Sequence, residues 1–64
     1  MRQWLIDQRK KLGLTQLQVA KKAGIARPYY TRIEGGKHKP PVDTAMKIAH
    51  ALEFDWTLFY KNAS

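Results

Sequence analysis

Arg27 and Arg32 stand five residues apart in Arg27-Pro28-Tyr29-Tyr30-Thr31-Arg32-Ile33-Glu34, a segment closed off by Gly24 before it and Gly35-Gly36 after it. An arginine fork bonds two acceptors at once, and guanine offers such a pair, O6 and N7, in the major groove. Tyr29 adds a ring and a hydroxyl suited to a phosphate or a sugar, or else supports the turn as a half-buried ring. Thr31 suits a thymine methyl or a phosphate. Pro28 has no N–H to donate and offers only apolar contact. Gln16 falls where a helix begins, and free N–H groups at such an end favour phosphate. Lys37, His38 and Lys39 form a basic stretch suited to backbone contacts, which add affinity without sequence information. This is recognition chemistry, built from hydrogen bonds and charge. Each residue also has a plainer reading: solvated arginines, a neighbour of a capping box, a mobile basic loop.

Other chemistries lack their residues. The two histidines, His38 and His50, are twelve positions apart, with no cysteine and no carboxylate at ligand spacing, so no metal site is expected. No Ser/His/Asp set, paired carboxylates or phosphate loop can be assembled. The expectation is a non-enzymatic chain with no cofactor and no small-molecule ligand.

Charge supports a polyanionic partner. The net charge is +7 over 64 residues, and it is unevenly spread. Residues 21–39 carry Lys21, Lys22, Arg27, Arg32, Lys37 and Lys39 against Glu34 alone, a net of +5. Residues 1–20 carry a net of +3, and residues 40–64 a net of −1. A localised basic face is the electrostatic footprint of nucleic-acid binding. The longest apolar run falls far short of the roughly 20 residues that span a bilayer. The opening Met1-Arg2-Gln3-Trp4 shows no secretory signal, so a cytoplasmic location is expected.

Five helices can position these side chains within one domain, residues 1–64. The first spans about Arg2 to Leu12, with Leu5, Arg9 and Leu12 on one stripe and Gly13 as its stop. Thr15 and Gln18 form a capping box for the second, which buries Val19, Ala20 and Ala23 and ends at Gly24. Ile25 turns inward between the second and third helices. The third starts near Ala26 or Arg27, with Pro28 in its first turn and Tyr30 and Ile33 facing inward. The fourth has Val42, Ala45, Ile48, Ala49 and Leu52 as its apolar stripe. Asp55 caps a short fifth helix from Trp56 to about Lys61, and Asn62-Ala63-Ser64 is expected to fray. Arg9 and Glu34 both fall on inward stripes, where a lone charge is expensive and a pair is not.

These pieces together resemble the Cro/C1-type (XRE) helix-turn-helix domains of phage repressors and bacterial regulators. The resemblance rests on Gly13-Leu14-Thr15-Gln16, Val19-Ala20-Lys21-Lys22-Ala23-Gly24-Ile25, Arg32-Ile33-Glu34-Gly35-Gly36-Lys37, Pro40 and Lys47-Ile48-Ala49-His50-Ala51-Leu52. It covers about residues 5 to 60. It implies an all-α, compact five-helix lambda-repressor-like domain that binds double-stranded operator DNA in the major groove. It implies transcriptional repression or regulation, and a homodimer on a palindromic site. By position it assigns phosphate contact to Gln16, the outward face of the recognition helix to Arg27, Pro28, Thr31 and Arg32, sugar-phosphate contact to Lys37, and an internal ion pair to Arg9 and Glu34.

The chain departs from the pattern at several places. Ala26 replaces the usual capping Ser or Thr, Pro28 a polar residue, and Tyr30 a Leu or Ile. Leu17 and Leu58 stand where charges are usual, and Pro41 replaces a capping Ser. Trp56 and Phe59 fit the core of the last helix. Trp4, Leu17, Leu58 and Tyr60 are surplus to it, and Leu58 and Tyr60, with Trp56 behind them, suit a dimer contact. Two alternatives use the same features differently. One is a protein-interaction module, such as an antitoxin or anti-repressor-binding domain. The other is a basic module for membrane surfaces, which the glycine turn and the dispersed core disfavour.

Overall fold

A computed structural model describes residues 1–61. They form α1 (Gln3–Lys11), α2 (Gln16–Ala23), α3 (Arg27–Glu34), α4 (Val42–Leu52) and α5 (Leu58–Lys61), with no strand among the described residues. The expected fraying of Asn62–Ser64 lies outside the described residues.

Local signals set the helix boundaries. At the start of α2 the Gln18 N–H donates to Thr15 Oγ1 (3.1 Å), and the Thr15 N–H donates to Gln18 Oε1 (2.8 Å), so both halves of the capping box are made. Gly24 ends α2 in the left-handed region (φ 71°, ψ 34°), and the Ile25 N–H reaches back to the Ala20 carbonyl at 2.9 Å. A residue without Cβ adopts that conformation without strain, and the chain turns sharply into α3. Ala26 precedes α3 in an extended conformation (φ −70°, ψ 142°) with no side-chain cap. The backbone there is already shaped for a cap. Ala26→Ser is therefore expected to stabilise the domain by about 1 kcal/mol, and a thermal melt in which the midpoint stays put or falls would count against it.

α4 ends on Glu53, which holds φ 61° and ψ 50°, while the Phe54 N–H bonds the Ala49 carbonyl at 3.0 Å. This is the glycine closure of α2 repeated with a residue that has a Cβ. Glu53→Gly should relieve this strain, less the entropy glycine adds to the unfolded chain, and gain about 0.5–1 kcal/mol. Chemical denaturation measures it directly, and a loss of stability would show that the Glu53 side chain has a role of its own.

The core lies where α2 meets α4 and α3, with α1 packed against α3. Leu5, Val19, Tyr30, Ile33, Ala45, Ile48 and Leu52 are fully enclosed, and Ala20, Ala23 and Phe59 nearly so. Three expectations are corrected. Val42 is exposed, because it is the first residue of α4 and sits before the helix reaches the core. Trp4 is not surplus: its ring packs edge-on against Phe54 and Phe59, both at 5.3 Å between centroids. Trp56 is only half-buried, because the segment 55–57 forms a turn before α5 begins at Leu58 rather than a first helical turn. Asp55 caps that turn, accepting from the Thr57 N–H (3.0 Å) and hydroxyl (2.8 Å).

Candidate nucleic-acid interface

α3 is eight residues long, about 12 Å at the rise of a helix. Tyr30, Ile33 and Glu34 face inward, so the spacing of a helix turns Arg27, Pro28, Thr31 and Arg32 outward, and all four are exposed. They share an open depression of about 430 Å³ with Gln16 from the start of α2. Two arginines, a hydroxyl and an amide thus converge on one concave face. Tyr29 takes the middle course between its two readings. It is half-buried, its ring lies edge-on to His38 at 5.1 Å, and the Arg32 guanidinium sits 6.0 Å from its centroid.

Lys37, His38 and Lys39 are exposed in the loop that follows α3. The loop is tethered. Arg2, unremarked in the sequence, donates through Nη1 to the Ile33 carbonyl (2.6 Å) and the His38 carbonyl (2.9 Å). Its own N–H bonds the Glu34 carbonyl at 2.9 Å, and its guanidinium lies over the Phe59 ring at 5.5 Å. The Lys39 ammonium lies over the Tyr60 ring at 5.3 Å, and the Tyr60 hydroxyl bonds the Pro40 carbonyl at 2.8 Å. No local pattern marks Arg2, because its partners stand more than thirty positions away.

Beneath the depression lies the Arg9–Glu34 pair. Arg9 Nε meets Glu34 Oε2 at 2.6 Å and Nη2 meets Oε1 at 3.3 Å, with side-chain exposures of only 13% and 4%. Two further donors complete the carboxylate: the Tyr30 hydroxyl to Oε2 and Gln16 Nε2 to Oε1, each at 2.8 Å. Arg9 also donates through Nη1 to the Leu14 carbonyl at 2.9 Å. Burial alone pushes the Glu34 carboxyl up, but the bonds from Arg9, Gln16 and Tyr30 outweigh it and hold it below its ordinary value. Tyr30 is pushed far above the usual phenol range, by burial first and by its bond to Glu34 second.

Gln16 is therefore not a free phosphate clamp. It is partly buried, and its amide joins the carboxylate beneath to the Thr31 hydroxyl above, which donates to Gln16 Oε1 at 3.0 Å. The sequence reading missed this role and the Tyr30 hydroxyl's bond to Glu34. The second was open to a local reading, since Tyr30 and Glu34 stand one helical turn apart.

The residues proposed for a dimer contact are partly engaged within the chain. Trp56, Leu58 and Tyr60 are each half-buried, and Trp56 meets Tyr60 edge-on at 5.9 Å. The large apolar side chains most exposed among the described residues are Met1, Leu17, Val42 and Met46. Among the described residues no group of three or more His, Cys, Asp or Glu could hold a metal ion, and no helix is long and apolar enough to cross a membrane.

Comparison with known proteins agrees with this geometry. The helix-turn-helix family matches residues 5–59. An uncharacterized HTH-type transcriptional regulator of Bacillus subtilis, YqaF, is 50% identical over 62 residues, covering 97% of this chain and 82% of that protein. The cryptic phage CTXphi transcriptional repressor RstR of Vibrio cholerae is 41% identical over 49 residues, 77% of this chain and 44% of the repressor. The ImmF control region 10 kDa protein of Bacillus phage phi105 is 37% identical over 49 residues, 77% of this chain and 54% of that protein. No solved structure matches. That family is one of DNA-binding regulators rather than enzymes. With a glycine turn between α2 and α3 and a cationic outward face on α3, the chain belongs to the Cro/C1-type helix-turn-helix family of DNA-binding transcriptional regulators.

Proposed function

We propose that α3 enters the major groove of a specific duplex, with Arg27 and Arg32 reading base edges and Lys37, His38, Lys39 and Gln16 holding the phosphates on either side. The observation that carries this reading is the grouping of Arg27, Pro28, Thr31, Arg32 and Gln16 around one open depression that no other described residue lines. An α-helix fits a major groove about 12 Å wide. The bond from Gln16 Nε2 to Glu34 uses one amide hydrogen and leaves the second for a phosphate. The domain's longest extent is 28 Å, shorter than the roughly 34 Å between successive major-groove faces. One copy therefore covers a half-site, and two copies on a palindrome cover an operator. Repression follows where that operator overlaps a promoter, and the protein works in the cytoplasm, where such DNA lies.

Selection of bound sequences from a random duplex pool tests the reading. A symmetric motif with two half-sites about one helical turn apart is the expected result. An unstructured pool, or retention of a stoichiometric protein partner in place of DNA, would favour the protein-interaction reading through Leu17 and its neighbours.

A further inference from the structure

The hydrogen-bond chain under the recognition helix has a direction. The Glu34 carboxylate can only accept, and it faces the Gln16 amide at 2.8 Å. That fixes the amide with its nitrogen toward Glu34. The amide oxygen must then face Thr31, which lies 3.0 Å away. An amide oxygen also only accepts, so the Thr31 hydroxyl must give its single proton to it. Arg9 and Tyr30 hold the other sides of the carboxylate, at 2.6 and 2.8 Å, so Glu34 cannot turn away and free the chain. Thr31 is exposed on the outward face, with its proton already committed inward.

We propose that Thr31 is a specificity-determining residue whose hydroxyl presents only an acceptor to the major groove, and that it selects a base carrying an exocyclic amino group, adenine through N6 or cytosine through N4. The inference rests on the placement of α3 in the groove. Of the four bases, adenine and cytosine offer a donor on that edge, while thymine O4 and guanine O6 are acceptors. An acceptor facing an acceptor loses a hydrogen bond and gains repulsion. For the same reason phosphate oxygens, which carry no donor, are poor partners for Thr31. Gln16 is the positioning residue: it reaches no base through this bond, yet it decides which way the Thr31 proton points.

The test compares motifs selected from a random duplex pool by the wild-type chain, Thr31→Val and Gln16→Leu. Wild type is expected to show one position per half-site restricted to adenine or cytosine on one strand. Thr31→Val keeps the side chain's shape and should lose that restriction while leaving the other positions unchanged. Gln16→Leu frees the Thr31 proton and should admit thymine or guanine at the same position. Next, the preferred base is replaced by purine or pyrimidin-2-one, which lack only the amino group. Wild type should lose about 3- to 10-fold in affinity, the range of one hydrogen bond, and Thr31→Val nothing. Equal losses in both proteins, or a motif unchanged in Thr31→Val, would overturn the proposal. Thermal melts confirm that each variant is folded, and Thr31→Val carries the test by itself if Gln16→Leu is not. A wild-type chain that selects no motif at all would instead overturn the groove placement, a separate outcome.

Discussion

Glu34→Ala is expected to cost about 3–5 kcal/mol of folding stability, the range for stranding the partner of a buried ion pair. Three side chains lose their acceptor together: Arg9, Gln16 and Tyr30. Arg9 is then left as an uncompensated charge with 13% of its side chain exposed. A domain of this size is stabilised by roughly 3–10 kcal/mol in all, so the variant should lose a large share of its stability and melt many degrees lower. Glu34→Gln, which keeps the shape and one acceptor but not the charge, should fall between. A melt displaced by only a degree or two for Glu34→Ala would show that the four groups contribute little as a unit.

The same cluster sets the response to pH. Glu34 sits below its unfolded value in the folded state, so its stabilisation is complete above the ordinary glutamate range of about 4.3 and is lost as pH falls through the lower folded value. Tyr30 is displaced upward, so its contribution is intact below the ordinary phenol range of about 10 and declines as pH climbs beyond it. Denaturation midpoints should therefore form a plateau across the neutral range with a descent on each side. Removing Glu34 should flatten the acid descent.

The second large effect is on DNA. Arg27, Arg32, Lys37 and Lys39 are exposed and basic on the α3 face and its loop. With about three to five phosphates neutralised per domain, raising salt from 50 to 200 mM should weaken binding by roughly 40- to 500-fold. A fluorescent-duplex titration at several salt concentrations measures it, and an affinity indifferent to salt would argue against a phosphate grip. Arg32→Ala separates the two kinds of contact. If Arg32 forks onto a guanine, the variant should lose about 1–3 kcal/mol on the selected site and much less on random duplex. Equal weakening on both would make Arg32 a phosphate ligand. The cation–π contact with Tyr29 makes Arg32 the better-positioned of the two arginines for such a fork, since the ring limits its rotamers.

Local chemistry made much of this legible beforehand. The capping box at Thr15 and Gln18, the left-handed Gly24 and the outward set on α3 each follow from spacing within a few residues. The Arg9–Glu34 pair was also accessible, because two inward charges in a small core have few ways to be satisfied. What stayed hidden depends on tertiary placement. Trp4 meets Phe54 and Phe59 across some fifty positions, and no periodicity in α1 announces that. Gln16 meets Thr31 only because the turn at Gly24 folds α3 back across the start of α2. The dihedrals of Glu53 were hidden too, since glycine is the residue that advertises such a turn and here it is missing.

Arg2 ties the segment that precedes α1 to the carbonyls of Ile33 and His38. A duplex would therefore meet a clasp already drawn into shape. The freedom a slack loop forfeits on docking, about 0.5–1.5 kcal/mol for each side chain it immobilises, has in part been surrendered during folding. Residues that touch no nucleotide thereby acquire leverage over how long the complex lasts, and a change near the first helix would register as faster departure from the operator rather than slower arrival.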